Sequence, residues 1–435
     1  MKRVGIVGAG YVGLVSGACF AKLGHTVICA DNDKEKIETL KKGKIPIYEP
    51  GLEEAIAQAR SKNKAALTFT TDITQLTKSC EAIFICVGTP PNDDGSADLS
   101  AIENVTKEIA RNLQHYTLII EKSTVPVATG ERIAEVVKFE NKKGIAFDVA
   151  SNPEFLREGT ALHDFFNPDR IVFGAETPRA EKLLRELYHG IEAPVIITDI
   201  KSAELIKHAS NSFLATKIAF ANALSRICDI VGADVVKVTQ GMGYDKRIGP
   251  AFLQAGAGVG GFCLPKDIDA FYHISKYCGY DFRLLKEVKQ INEAQKGVIV
   301  QKLEEELWNL RDKTIAILGL SFKPDTNDLR FAPSLDIIKA LTAKGAKVKA
   351  FDPVSMPKSR AILNGTKVTL AKDAKDCLKG AHAVILMTEW NDFKKIDFAA
   401  AKKTMAGVVI IDGRNCLDAE RLKVLGFRYR GMGRN

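Results

Sequence analysis

Ten residues at the start of the chain leave few ways to fold. Val4-Gly5-Ile6-Val7-Gly8-Ala9-Gly10-Tyr11-Val12-Gly13 is a short apolar run that passes directly into three glycines, then into a helix-like stretch, and Thr26-Val27-Ile28-Cys29-Ala30-Asp31 follows. Strand, glycine turn, helix and a second strand ending in an acid form a complete dinucleotide fingerprint. Gly8 makes the tight turn, Gly10 lets the backbone approach a pyrophosphate, and Gly13 allows a helix to pack closely with its N-terminal amides toward the phosphates. Asp31 would accept hydrogen bonds from both ribose hydroxyls and repel a 2′-phosphate, so the expected cofactor is NAD rather than NADP. Lys34 and Lys36 close by weigh the other way, and a methyltransferase or an inactive Rossmann unit is the competing reading.

At 435 residues the chain exceeds one ordinary core and implies two or three domains. Up to about residue 195, apolar runs alternate with helical ones: the opening strand, Thr26–Ala30, Ala82–Val87, Leu118–Ile120, Phe147–Ala150 and Val195–Ile197. This is the pattern of a doubly wound parallel sheet. Residues from about 200 to 300 lack a convincing strand, and Ser202 to Val231 reads as one long helix, with Leu205, Ala209, Phe213, Lys217 and Phe220 at spacings of three and four. Lys207 and Asn211 fall on one face of it.

The alternation restarts near residue 313 with Lys313–Leu320, Val348–Asp352, Ala383–Met387 and Val408–Ile411. Gly319-Leu320-Ser321-Phe322-Lys323-Pro324 stands where the first copy has its fingerprint, so this half should not bind a dinucleotide in the same way. Lys323 and Arg330 suggest phosphate contacts instead. The expected fold is α/β, with two Rossmann-like doubly wound parallel-sheet domains joined by a central helical region. The expected boundaries are 1–198 for NAD binding, 199–300 for the helical dimerisation and catalytic region, and 301–435 for a C-terminal Rossmann-like domain that binds a second nucleotide.

Composition excludes several classes. No apolar run is long enough to cross a bilayer, and the first strand begins at once after Met1-Lys2-Arg3, so a cytoplasmic protein without a membrane or signal segment is expected. Nine cysteines without close paired spacing fit a reducing compartment better than a disulfide framework or a metal site. The net charge of +9 is dispersed along helices, which argues against nucleic acid and suits anionic nucleotides.

Chemistry concentrates in Gly256-Ala257-Gly258-Val259-Gly260-Gly261-Phe262-Cys263-Leu264-Pro265-Lys266-Asp267, read as a glycine-rich loop. Its glycines allow close backbone approach. Lys266 can favour a Cys263 thiolate, and Asp267 can hold a water or a proton. A buried, merely structural Cys263 is the alternative.

The glycine fingerprint, Tyr48-Glu49-Pro50-Gly51-Leu52, Val87-Gly88-Thr89-Pro90, Ser123-Thr124-Val125-Pro126, Asn152-Pro153-Glu154-Phe155-Leu156-Arg157-Glu158-Gly159, Asn167-Pro168-Asp169-Arg170 and Cys263-Leu264-Pro265-Lys266-Asp267 occur in this order. Together they resemble the nucleotide-sugar 6-dehydrogenase family over essentially the whole chain. The resemblance implies four-electron oxidation of a sugar C6 alcohol to a carboxylate with two NAD molecules, UDP-glucose giving UDP-glucuronate. UDP-N-acetylmannosamine and GDP-mannose are the alternative substrates, and a non-catalytic nucleotide-binding protein is the rival class.

By the same resemblance, Cys263, Lys207, Asn211, Asp267, Glu154 and Thr124 would be catalytic. Gly8, Gly10, Tyr11, Val12, Gly13, Asp31, Lys36, Thr89, Thr124, Glu158, Lys266 and Arg330 would surround NAD. Glu154, Phe155, Leu156, Arg157, Glu158, Lys207, Asn211, Phe252, Leu253, Gln254, Ala255, Gly256, Gly260, Phe322 and Lys323 would surround a UDP-sugar. Arg247 would reach it from the neighbouring subunit of a homodimer, and Arg414 is a further candidate. Val259, Phe262 and Phe331 depart from the usual pattern at the sugar.

Overall fold

A computed structural model describes residues 1–62 and 65–434. The chain divides into two compact units, one of residues 1–210 with 269–279, the other of 211–268 with 280–435.

The first unit contains β1 (Arg3–Val7), β2 (Thr26–Ala30), β3 (Leu67–Thr70), β4 (Ala82–Ile85), β5 (Thr117–Glu121), β6 (Phe147–Ser151), β7 (Ile171–Ala175) and β8 (Val195–Thr198) in one sheet of order β3-β2-β1-β4-β5-β6-β7-β8. The reversal of strand order at β1/β4 is the switch point at which open α/β sheets bind ligands. One pair departs from the expected parallel pattern: β6 and β7 run antiparallel, joined by the Asn152–Arg170 segment instead of a full crossover helix. β3 and β7 are not among the strands expected from the sequence.

Near-continuous apolar strands such as β4, buried along its whole length, are what a sheet covered on both faces requires. Phe20 anchors one side of the core, with ring centroids 5.0 Å from Phe84 and 5.2 Å from Phe165.

The second unit contains β9 (Thr314–Leu318), β10 (Lys347–Phe351), β11 (Val368–Leu370), β12 (Ala383–Leu386), β13 (Val409–Asp412) and β14 (Arg428–Gly431), all parallel, in the order β11-β10-β9-β12-β13-β14. The echo of the first unit is exact at its first turn. Gly8 N–H donates to Ala30 O at 2.8 Å and Gly319 N–H to Phe351 O at 2.8 Å, both glycines having positive φ. Asp352 holds the position of Asp31 but turns inward, accepting from the amides of Leu320, Ser321, Val354 and Ser355.

Between the two sheets in sequence runs the helix Ile200–Val231, two residues longer at its start than expected. Leu205, Phe213, Phe220 and Ile227 on it are exposed rather than packed in a core.

Candidate active site

In the first unit the glycine turn has the form its residue types require. Gly8 lies at φ +102°, and a Cβ there would come within 2.6 Å of Cys86 O. A methyl at Gly13 would overlap the carbonyl oxygen of Gly8, whereas nothing lies within 4 Å of a Cβ built on Gly10. The turn is therefore closed at its packing glycines and open where a pyrophosphate would approach. Asp31 stands beside it: its carboxylate accepts from Ala9 N–H at 2.7 Å and pairs with Lys36 Nζ at 3.0 Å. Lys36 is thus the counter-ion of Asp31. These residues fit NAD.

Tyr11 opens the helix after the turn, and its hydroxyl donates to Glu49. Burial and that carboxylate push the phenol well above its ordinary value. Glu49, to which no role fell in the sequence, also accepts from Gly159 N–H at 2.6 Å and Ala161 N–H at 2.7 Å. It ties the segment containing Glu158 to the cofactor turn; an acid directly before Pro50-Gly51 was its only local signal. Thr89 is buried and donates its hydroxyl to Thr124 O at 2.9 Å, joining the loops after β4 and β5.

Glu154 follows β6, is 8% exposed, and pairs with Lys207 Nζ at 3.3 Å; Lys207 is itself 5% exposed. The second Glu154 oxygen accepts from Leu156 N–H at 2.6 Å. Lys207 Nζ also lies 5.2 Å from the Phe155 ring centre. Arg157 is turned aside by Asp164, at 2.6 Å. A cavity of about 170 Å³ opens among Lys122, Asn152, Glu154, Phe155 and Arg170.

In the second unit the cysteine segment differs from the expected loop. The loop ends at Phe262, and Cys263 begins the helix Cys263–Tyr277 with its thiol exposed. The glycines upstream force a turn there, while Leu264 to Asp267 can continue a helix because Pro265 stands in the first turn, where its missing N–H costs nothing. First-turn amides favour an anionic sulfur. Asp267 is fully buried, accepts from Asn211 Nδ2 at 2.5 Å, and has Lys266 Nζ 2.9 Å from its other oxygen in an ion pair that is not aligned as a hydrogen bond. Cys19, Cys29 and Cys86 are buried, and burial raises their thiols, to about 12 for Cys19 and Cys86.

The glycine loop is braced from several sides. Asn292 bonds both backbone groups of Val259, Gly261 N–H donates to Arg330 O at 3.0 Å, and a Cβ at Gly261 would press on the Phe322 ring at 2.7 Å. Phe262 carries the Arg330 guanidinium over its ring at 4.4 Å, and Asp328 pairs with Arg330 at 2.6 Å. Arg414 donates to the carbonyls of Met387, Gly258 and Phe322, so its visible work is to brace this loop. Phe252 adopts φ +63°, Leu253 and Ala255 are buried, and Gly256 packs on the Gly413 carbonyl. Lys323 is partly exposed beside Phe322. Arg247, 89% exposed in its side chain, pairs with Asp245.

A doubly wound sheet with an open glycine turn and an acid beside it is the arrangement of the NAD-binding domain of a dehydrogenase class. The chain belongs to the UDP-glucose/GDP-mannose dehydrogenase family. Residues 2–192 match its NAD binding domain, 201–294 its central domain and 316–419 its UDP binding domain. The chain is 45% identical to the UDP-glucose 6-dehydrogenase TuaD of Bacillus subtilis over 434 residues, covering 100% of this chain and 94% of that protein. The structure of a UDP-glucose dehydrogenase from Pyrobaculum islandicum matches with a TM-score of 0.93 and 39% identity, over 100% of this chain and 98% of that one. A UDP-D-ManNAc dehydrogenase from Pyrococcus horikoshii matches with a TM-score of 0.87 and 27% identity, over 99% of each chain.

Proposed function

We propose that the protein oxidises UDP-glucose at C6 to UDP-glucuronate, consuming two NAD per sugar. The observation that carries this reading is an exposed thiol four residues before a buried carboxylate, which is itself bonded to Asn211 one helical turn from Lys207. Greater identity to UDP-glucose enzymes than to the UDP-D-ManNAc enzyme favours glucose as the sugar. In the division of labour we propose, 1–198 binds NAD, 199–300 supplies catalysis and dimerisation, and 301–435 holds the UDP-sugar.

When bound, NAD accepts the two hydrides, one molecule for each oxidation. Asp267, with Lys207, holds the water that takes the C6 hydroxyl proton in the first. The Cys263 sulfur then adds to the aldehyde carbon, and Lys207 and Asn211 donate to the oxygen of the resulting thiohemiacetal. The thiol keeps the aldehyde attached until the second oxidation, which leaves a thioester on Cys263. Water activated by Asp267, or by Glu154 with Thr124, adds to the thioester carbon; the C–S bond breaks, and the acid and the free thiol result.

Exposed Leu205, Phe213, Phe220 and Ile227 on the long helix support a homodimer, with Arg247 reaching the neighbouring subunit's substrate. Free buried cysteines support a cytoplasmic setting. Among the described residues no helix is long and apolar enough to cross a membrane.

The test is NADH release from UDP-glucose, UDP-N-acetylmannosamine and GDP-mannose side by side. Two NADH per UDP-glucose, at the highest kcat/KM of the three, is the expected result. One NADH per sugar would remove the cysteine steps, and faster turnover of another sugar would reassign the substrate.

A further inference from the structure

Two buried residues of the long helix have no part in the chemistry above, yet both hold the segment that carries Thr124. Glu204, 2% exposed, accepts from Ala128 N–H and from Gly130 N–H, each at 2.7 Å, one with each carboxylate oxygen. One turn further, His208, 1% exposed, places Nε2 2.7 Å from Val125 O and stacks on Phe271. Lys207 lies between them in sequence.

The gripped segment is shaped for this contact. Ala128 holds the left-handed conformation, φ +73°, which a residue with a Cβ adopts only when its surroundings hold it there. Gly130 lies so close that a Cβ would meet Ile200 Cγ2 at 2.5 Å. Three backbone atoms within six residues are thus fixed by one face of one helix.

We propose that Glu204 and His208 are positioning residues, which register the Thr124–Gly130 segment against the helix turn that presents Lys207, and that ionised Glu204 is the form that does so. A protonated carboxyl turns one acceptor into a donor facing an amide, and the grip on Ala128 or Gly130 is lost. Burial lifts the Glu204 carboxyl to about 7 despite the Gly130 and Ala128 amides. The charged groups facing it, Glu131 and Lys201, pair with each other at 2.8 Å and so nearly cancel. The grip therefore tightens as pH rises through neutrality.

The catalytic part of this inference rests on the reading of the protein as a UDP-glucose oxidase, so two readouts are needed. The first is kcat and KM against pH for the parent protein, Glu204→Gln, Glu204→Asp and His208→Gln. Glu204→Gln should lower kcat about tenfold or more with little change in the KM for UDP-glucose, because misplacement costs turnover more than binding. It should also abolish the rise of kcat between pH 6 and 8, while Glu204→Asp should retain that rise and His208→Gln, which can still donate to Val125 O, should stay near the parent. The second is hydrogen exchange at Ala128 and Gly130, corrected for intrinsic rate, which needs no substrate. Exchange in Glu204→Gln should be about tenfold faster, the equivalent of one lost hydrogen bond. Unchanged exchange overturns the grip whatever the enzyme's substrate. Faster exchange with parental kcat and pH profile overturns the catalytic consequence. Absence of NADH from every sugar in the parent protein would count against the functional reading alone.

Discussion

Cys263 and Gly13 show how much can rest on one position. Cys263→Ala removes the only nucleophile at the start of its helix, so acid formation should collapse while UDP-glucose and NAD still bind. Steady-state NADH and product assays check this, and a rate near the parental one would make the thiol structural. Gly13→Ala is the opposite kind of change, one methyl and no chemistry. Its Cβ has nowhere to go but into the Gly8 carbonyl, backbone against backbone, so the turn must open. We expect NAD affinity by calorimetry to fall at least about tenfold and the unit to lose about 1–3 kcal/mol, the cost of overpacking a closed site. Asp31 was legible at the same scale because an acid ending the second strand has one main use. Glu49 and Glu204 were not, because their meaning lies in backbone amides about 110 and 75 residues away along the chain.

Elements repeat between the units, but their acids diverge in use. Asp31 at the end of β2 keeps its carboxylate at the glycine turn, whereas Asp352 after β10 is completely buried and takes up the amides and the Ser321 hydroxyl of its own turn, with the Trp390 indole N–H at 3.3 Å. Burial opposes its ionisation, but the amides of Leu320, Ser355, Val354 and Ser321 outweigh that and hold the carboxyl below its ordinary value of 3.8. A depressed carboxyl stabilises the fold above its unfolded pKa, and that stabilisation is lost as pH falls through the folded one. Asp352→Asn should therefore cost about 3 kcal/mol at pH 7, since an amide turns a donor toward donors. The difference from the parent should shrink below about pH 4, as urea titrations at several pH values would show.

For the molecule as a whole, the long helix poses the main question, since a 32-residue helix with Phe213 67% and Phe220 55% exposed leaves apolar surface to water. If a second copy covers it, Phe213→Asp should shift the protein to monomer in sedimentation while its thermal midpoint as a monomer stays close to that of the dissociated parent, an exposed position contributing little by itself. A monodisperse parental monomer would remove the dimer from the functional reading. The central strands, glycine turns and long helix could be read directly from the chain, because turn chemistry and the 2.0 and 3.6 periods act over a few residues, whereas β3, β7, β11 and β14 could not. Cys263 and Asp267 stand out from their own segment, whereas catalytic roles for Lys207 and Asn211 come only from the family resemblance. Tertiary structure alone decided that β6 meets β7 antiparallel, that Cys263 opens a helix, that Asn211 and Lys266 both reach Asp267, and that Arg414 spends its donors on loop carbonyls. Local sequence sets which conformations a segment can adopt, but the partners of a buried charge are chosen by whichever distant groups folding brings within hydrogen-bond reach, and no short-range pattern records them.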